Sequence, residues 1–149
     1  MYRDTVTLFN RYARREGDVW YPTVLHGVDL NVDKAAILAK YGAESNDTAR
    51  LHVKYQRRED GIYVADKLWL PPKEWENQTN DVMADSLTFA GGSDFDFVWA
   101  GTWTGGVVND NDYGPEGFYN EWNTRHDDVF AISSVARYSV IPHFEILLR

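Results

Sequence analysis

Four histidines, at positions 26, 52, 126 and 143, are the first residues to weigh for chemistry. Metal ligands that share a helix face sit three or four residues apart, and no two of these histidines do. His52 lies in Ala49-Arg50-Leu51-His52-Val53-Lys54-Tyr55 and shares parity with Arg50 and Lys54, so its expected state is solvated or hydrogen-bonded. His126-Asp127-Asp128 offers an imidazole beside carboxylates. A triad also needs a nucleophile, and Ser133 and Ser134 lie in no Gly-X-Ser-X-Gly turn. Asp94 and Asp96 alternate with Phe95, Phe97 and Trp99, which predicts a strand with an acidic outer face and an aromatic inner face. Asp110-Asn111-Asp112-Tyr113-Gly114 opens like a calcium loop. It then places Gly114 where a ligand belongs and Pro115 where a glycine is required. No Gly-rich phosphate loop is followed by Lys-Ser/Thr. The residues therefore predict no catalytic group, no metal site and no cofactor; the chain is not expected to be an enzyme.

Composition bounds the rest. A chain of 149 residues predicts one domain with its own core. It has no cysteine, which excludes disulfides and thiolate ligands. No leader-like segment opens it and no apolar run reaches membrane-spanning length, so a soluble protein folded inside the cell and without a membrane partner is expected. The sequons at Asn46 and Asn77 then read as chance matches. Aromatic residues make up 15%, with six Trp and nine Tyr, which demands a packed fold. The net charge of −8 is uneven: residues 1–60 carry ten Lys/Arg and nine Asp/Glu, whereas residues 74–128 carry twelve acids against Arg125 alone. Such a stretch repels phosphate and disfavours tight nucleic-acid binding.

The elements that would position these residues are mostly strands. Thr5–Tyr12 is β-branched and aromatic, and Trp20–Leu30 is its expected hairpin partner, with Pro22 near an edge and Gly27 at a bulge. Residues 34–40 favour a short helix after Asp33. Residues 49–55 alternate apolar and polar, as a half-buried strand does. Residues 62–64 and 67–70, 95–100, 129–132 and 138–147 complete the strands. The expected core is Val6, Leu8, Val24, Leu51, Val53, Phe97, Trp99, Phe130, Ile132 and Phe144. Between the strands lie two long segments, about 73–86 and 101–124, read as loops with one helical turn over residues 118–122. The predicted fold is mostly β: a small antiparallel barrel or sandwich of residues 1–149, with one or two short helices and two long loops.

Several of these segments, in order, resemble phage minor capsid and head-completion proteins of tailed phages of Gram-positive hosts. They are Thr5-Val6-Thr7-Leu8-Phe9-Asn10, Tyr21-Pro22-Thr23-Val24-Leu25-His26-Gly27-Val28, Leu87-Thr88-Phe89 through Gly101, and Val129 to Ile146 with its His143-Phe144-Glu145. The resemblance spans about half the chain, and the segments 73–86 and 101–124 are departures from it. It implies a structural protein of the virion neck, assembled in the host cytoplasm: a stopper-like head–tail connector in a homo-oligomeric ring, six-fold or twelve-fold. Its partners would be the portal or adaptor and the tail proteins, with packaged DNA passing through but not tightly bound. The expected partner or lumen contacts are Trp75, Asp81, Trp103, Asp110, Asp112, Tyr113, Phe118 and Trp122. The alternative is a carbohydrate-binding β-module of a tail fibre or host-interaction protein, which would use the same loop aromatics to stack on sugars.

Overall fold

The computed structural model describes residues 2–33 and 48–149; the helix expected over residues 34–40 and the sequon at Asn46 lie outside them. The strands are β1 (Asp4–Tyr12), β2 (Val19–Val32), β3 (Ala49–Lys54), β4 (Gln56–Arg58), β5 (Gly61–Val64), β6 (Lys67–Trp69), β7 (Ser86–Leu87), β8 (Phe97–Trp99), β9 (Val108–Asn109), β10 (Val129–Tyr138) and β11 (His143–Leu148). The helices are α1 (Pro72–Glu76) and α2 (Gly117–Arg125).

The opening hairpin forms as its β-branched composition predicts, with Thr7 opposite Val24 and Tyr12 opposite Val19. The register shifts between Asp4 and Thr5, where Gly27 bulges out of β2 at φ +67°. Pro22 sits where β2 is paired on one side only, between the stretches that meet β9 and β3, so its missing N–H leaves no ladder bond unmade. The neighbours then run β1-β8-β10-β11-β3-β2, and the β1–β2 pairing closes this order into a six-stranded antiparallel barrel. Closure leaves these strands without a long free edge. A second sheet, β4-β5-β6-β7, stands against it.

Side chains fill the barrel: Val6, Leu8, Leu25, Val28, Leu51, Val53, Val98, Phe130, Ile132, Phe144, Ile146 and Leu148 are all buried in one cluster. Ile62, Val64 and Leu87 of the second sheet join it. Two expected core residues behave otherwise. Val24 is only half-buried, while Thr23 and Leu25 are buried. The bulge at Gly27 is the reason: it changes the parity of β2, so that Leu25 and Val28 point the same way although three residues apart. Trp99 is half-buried, because the aromatic face of β8 is the outer one.

That outer face carries a second core. Phe9, Trp20, Phe97, Val108, Phe118 and Val129 are buried together, with Phe95, Trp99, Trp103, Tyr113, Tyr119 and Trp122 packed around them. The Phe9 ring stacks on Phe97 at 4.7 Å and meets Phe118 edge-on at 5.1 Å. The segment 101–124 is therefore not a free loop. It pairs Val108 with Trp20 and turns through residues 110–112. It then lays the nine-residue helix α2 over β1 and β8. The segment 73–86 also packs, through Trp75 and Met83, with Trp75 edge-on to Tyr21 at 5.9 Å.

Asp96 corrects the acidic-face reading of residues 94 and 96. Asp94 is exposed, but Asp96 is 1% exposed and points inward from β1's neighbour strand region. Its Oδ1 accepts the Arg11 N–H at 2.8 Å, and its Oδ2 accepts Asn10 Nδ2–H and the Ala90 N–H, both at 2.9 Å. Asn10 also donates to the Thr88 carbonyl at 2.7 Å. One carboxylate thus ties β1 to the chain before β8. Burial pushes its pKa up to about 7, against the downward pull of those three donors and of the Arg11 charge.

Two stability predictions result. Phe118→Ala should cost about 3–5 kcal/mol in urea unfolding, because its ring holds α2 to both Phe9 and Phe97. The second concerns pH. The folded chain holds the Asp96 proton more tightly than the unfolded chain, whose ordinary value is 3.8. Its contribution to stability is therefore full below pH 3.8, declines as pH rises towards about 7, and is flat above that. The decline is about 1.4 kcal/mol per pH unit for this one group. Asp96→Asn should flatten the wild-type unfolding profile across that window, whereas Asp96→Ala, which orphans three donors, should lose roughly 3 kcal/mol or more at any pH.

Candidate functional site

The eight residues expected to meet a partner divide by burial. Trp75 and Phe118 are buried side chains, and Trp103, Tyr113 and Trp122 are half-buried in the second core. Trp122 stands edge-on to Trp99 at 5.2 Å and to Trp103 at 5.3 Å. These rings face one another, so the flat row of exposed rings that a sugar-binding platform needs is not formed by them. Asp81 and Asp112 are exposed.

Asp110 has a structural task. Its Oδ1 accepts Trp20 Nε1–H at 2.7 Å and the Phe118 N–H at 2.9 Å, the latter at the start of α2. Gly117, at φ +86°, has to be glycine here: a Cβ would come within 2.7 Å of Asp110 Oδ2. Asn111 Nδ2–H donates to the Glu16 carbonyl at 2.6 Å. The Asp-Asn-Asp run that fails as a calcium loop is thus a clasp between the β1–β2 turn and the second core.

The exposed features lie elsewhere. Residues 139–142 join β10 to β11, and at this tip Val140 is 96% and Ile141 74% exposed. Tyr138 at the tip's base is also exposed. Beside the tip is a cavity of about 500 Å³ walled by Tyr2, Lys54, Tyr55, Tyr63, Ile141 and His143. Lys54 lays its ammonium 4.3 Å from the Tyr2 ring centre, and Tyr55 Oη–H donates to the Tyr138 carbonyl at 2.7 Å.

Two groups of charged side chains lie on different sides of the barrel. Helix α2 and its flanks cover β1 and β8 and expose Asp112, Glu116, Asp127 and Asp128, with Arg125 among them. Across the ring of strands from β1 and β8 are β11 and β3, where Arg50 and Lys54 are exposed on the outer face. The same outer face gives His52 neighbours that its place in the sequence does not show. Register places Glu145 directly opposite His52, and His143 opposite Lys54. One ligand-type atom each from His52, His143 and Glu145 lies within 4.8 Å of the others. The signal that sequence spacing lacks is supplied by strand pairing: residues 91 and 93 positions apart become neighbours only when β3 joins β11. His126, by contrast, packs against the Trp122 ring, with ring centres 4.0 Å apart.

Comparison with curated proteins finds no match for this chain, and comparison with solved structures finds none either. The profile of one family, described as a family of unknown function (DUF6751), matches residues 1–147. The chain belongs to that family.

Proposed function

We propose that this chain is a structural subunit of a tailed-phage neck: a stopper-like head–tail connector that forms a homo-oligomeric ring between portal or adaptor and tail and helps retain packaged DNA. The observation that carries the reading is the opposition of charge across the barrel. The α2 side is acidic and the β3–β11 side has exposed Arg50 and Lys54, so one subunit's β3–β11 side can meet its neighbour's α2 side. A contact between two different patches is heterologous, and it closes into a ring when its rotation permits. The segment resemblance set out above supplies the neck as the location.

The exposed apolar tip fits the same reading. Val140 and Ile141 stand at the end of the β10–β11 hairpin, whose pairing runs out to Tyr138 and His143, and they are side chains that gain by burial in a partner. Acidic residues from 74–128 that stay exposed would suit a lumen, since they do not trap passing phosphates.

The test is made in the particle. Cross-linking with mass spectrometry, or a density map of the virion, should place the chain between portal and tail, with α2 of one copy near β3 of the next. Val140→Asp with Ile141→Asp should leave the isolated chain folded and strip it from particles. A chain absent from virions, or found at a fibre tip with a glycan bound, overturns the connector reading; the second outcome establishes the sugar-binding alternative.

A further inference from the structure

The outer face of β3 and β11 holds the one grouping of side chains, among the described residues, that has metal-ligand chemistry in reach of a common point. We propose that His52, His143 and Glu145 form a binding site for a first-row divalent metal ion of the zinc class.

Two imidazoles and one carboxylate are a donor set that suits zinc, and three protein ligands leave a fourth position for water or an added ligand. The ligand atoms are within 4.8 Å of one another. The backbone itself is fixed: β3 and β11 pair continuously from His143–Lys54 to Leu148–Ala49, and each has a further partner strand. The three side chains are half-buried, which lets an ion reach them from solvent.

The surroundings of His143 add a separate argument. Its Nδ1 is 2.7 Å from the Ile141 carbonyl. A carbonyl only accepts, so Nδ1 carries the proton and Nε2 keeps its lone pair for a ligand. A metal-binding histidine commonly donates its other nitrogen in this way, which fixes tautomer and ring orientation. Tyr138 stacks on the same ring at 4.9 Å and 12°, holding its plane. On the far side, Arg50 lies 3.5 Å from Glu145 Oε1. That contact is largely exposed on the arginine side and weak, so it positions the carboxylate without competing strongly with an ion. His143 also lines the cavity bounded by Lys54 and Tyr55.

The inference stands apart from the connector reading, because it is tested on the isolated full chain. Zinc chloride is titrated against a chromogenic chelator, and cobalt is substituted to read coordination from its visible absorption. One ion per chain is expected, with a rise in melting temperature on saturation. His52→Ala, His143→Ala and Glu145→Gln should each weaken binding by about tenfold or more, with far-UV circular dichroism unchanged. His143→Gln replaces any alanine variant that unfolds. His26→Ala and His126→Ala should bind as the parent does. The proposal falls if the parent takes up no stoichiometric ion, or if its affinity survives the three substitutions.

Discussion

Strand β1 is hydrogen-bonded on both edges and apolar on both faces. Val6 and Leu8 point into the barrel, and Phe9 points out of it. A closed barrel solves only the first of these burials. The outward rings of β1 and β8, with Trp20 of β2, would stand in water unless something covered them, and burying such side chains is worth about 1.5–3 kcal/mol each. Much of the remaining architecture answers that demand. The chain from 101 to 125 strings Trp103, Val108, Tyr113, Phe118 and Trp122 across the exposed rings, and Thr7 pins its beginning by accepting the Trp103 N–H and donating to the Gly101 carbonyl. Asp110 pins its middle to Trp20.

The strands that alternate simply were legible in the sequence. Ala49 to Lys54 lies where alternation puts it and the opening hairpin where composition puts it, and the bulge at Gly27, which shifts the parity of β2, was marked by its glycine. What parity could not give is which side of a strand is the inside when both sides are covered. The run Asp94 to Trp99 reads equally well in either orientation. The aromatic side faces α2, and Asp96 goes inward because three N–H donors wait for it there. The helix over 117–125 reads in the sequence as a single turn over 118–122: its apolar residues are aromatic and its neighbours are Asn, Thr and Gly, so propensity speaks for no more than a turn and tertiary burial extends it.

The candidate sites show the same limit. Glycine- and aspartate-rich spacing drew the eye to residues 110–112, which turn out to be a clasp. The grouping with ligand chemistry is assembled by register alone, from two strands far apart in the chain. The surface that remains for association is also shaped by closure: the β1–β2 pairing joins the barrel, and the side-chain faces and the β10–β11 tip are the surfaces the connector proposal uses.

The double duty of β1 has a temporal side. The first hairpin leaves the ribosome early, yet Phe9 is enclosed by rings at 97, 103 and 118, and Thr7 waits for a carbonyl 94 residues further on. Local pairing can form at once, but its rewards come only after a long closure has been made. During synthesis a greasy, strand-shaped segment therefore stays uncovered until the residues around 97–118 have emerged. The cell has to shelter it, or the chain has to finish and close before two such hairpins meet.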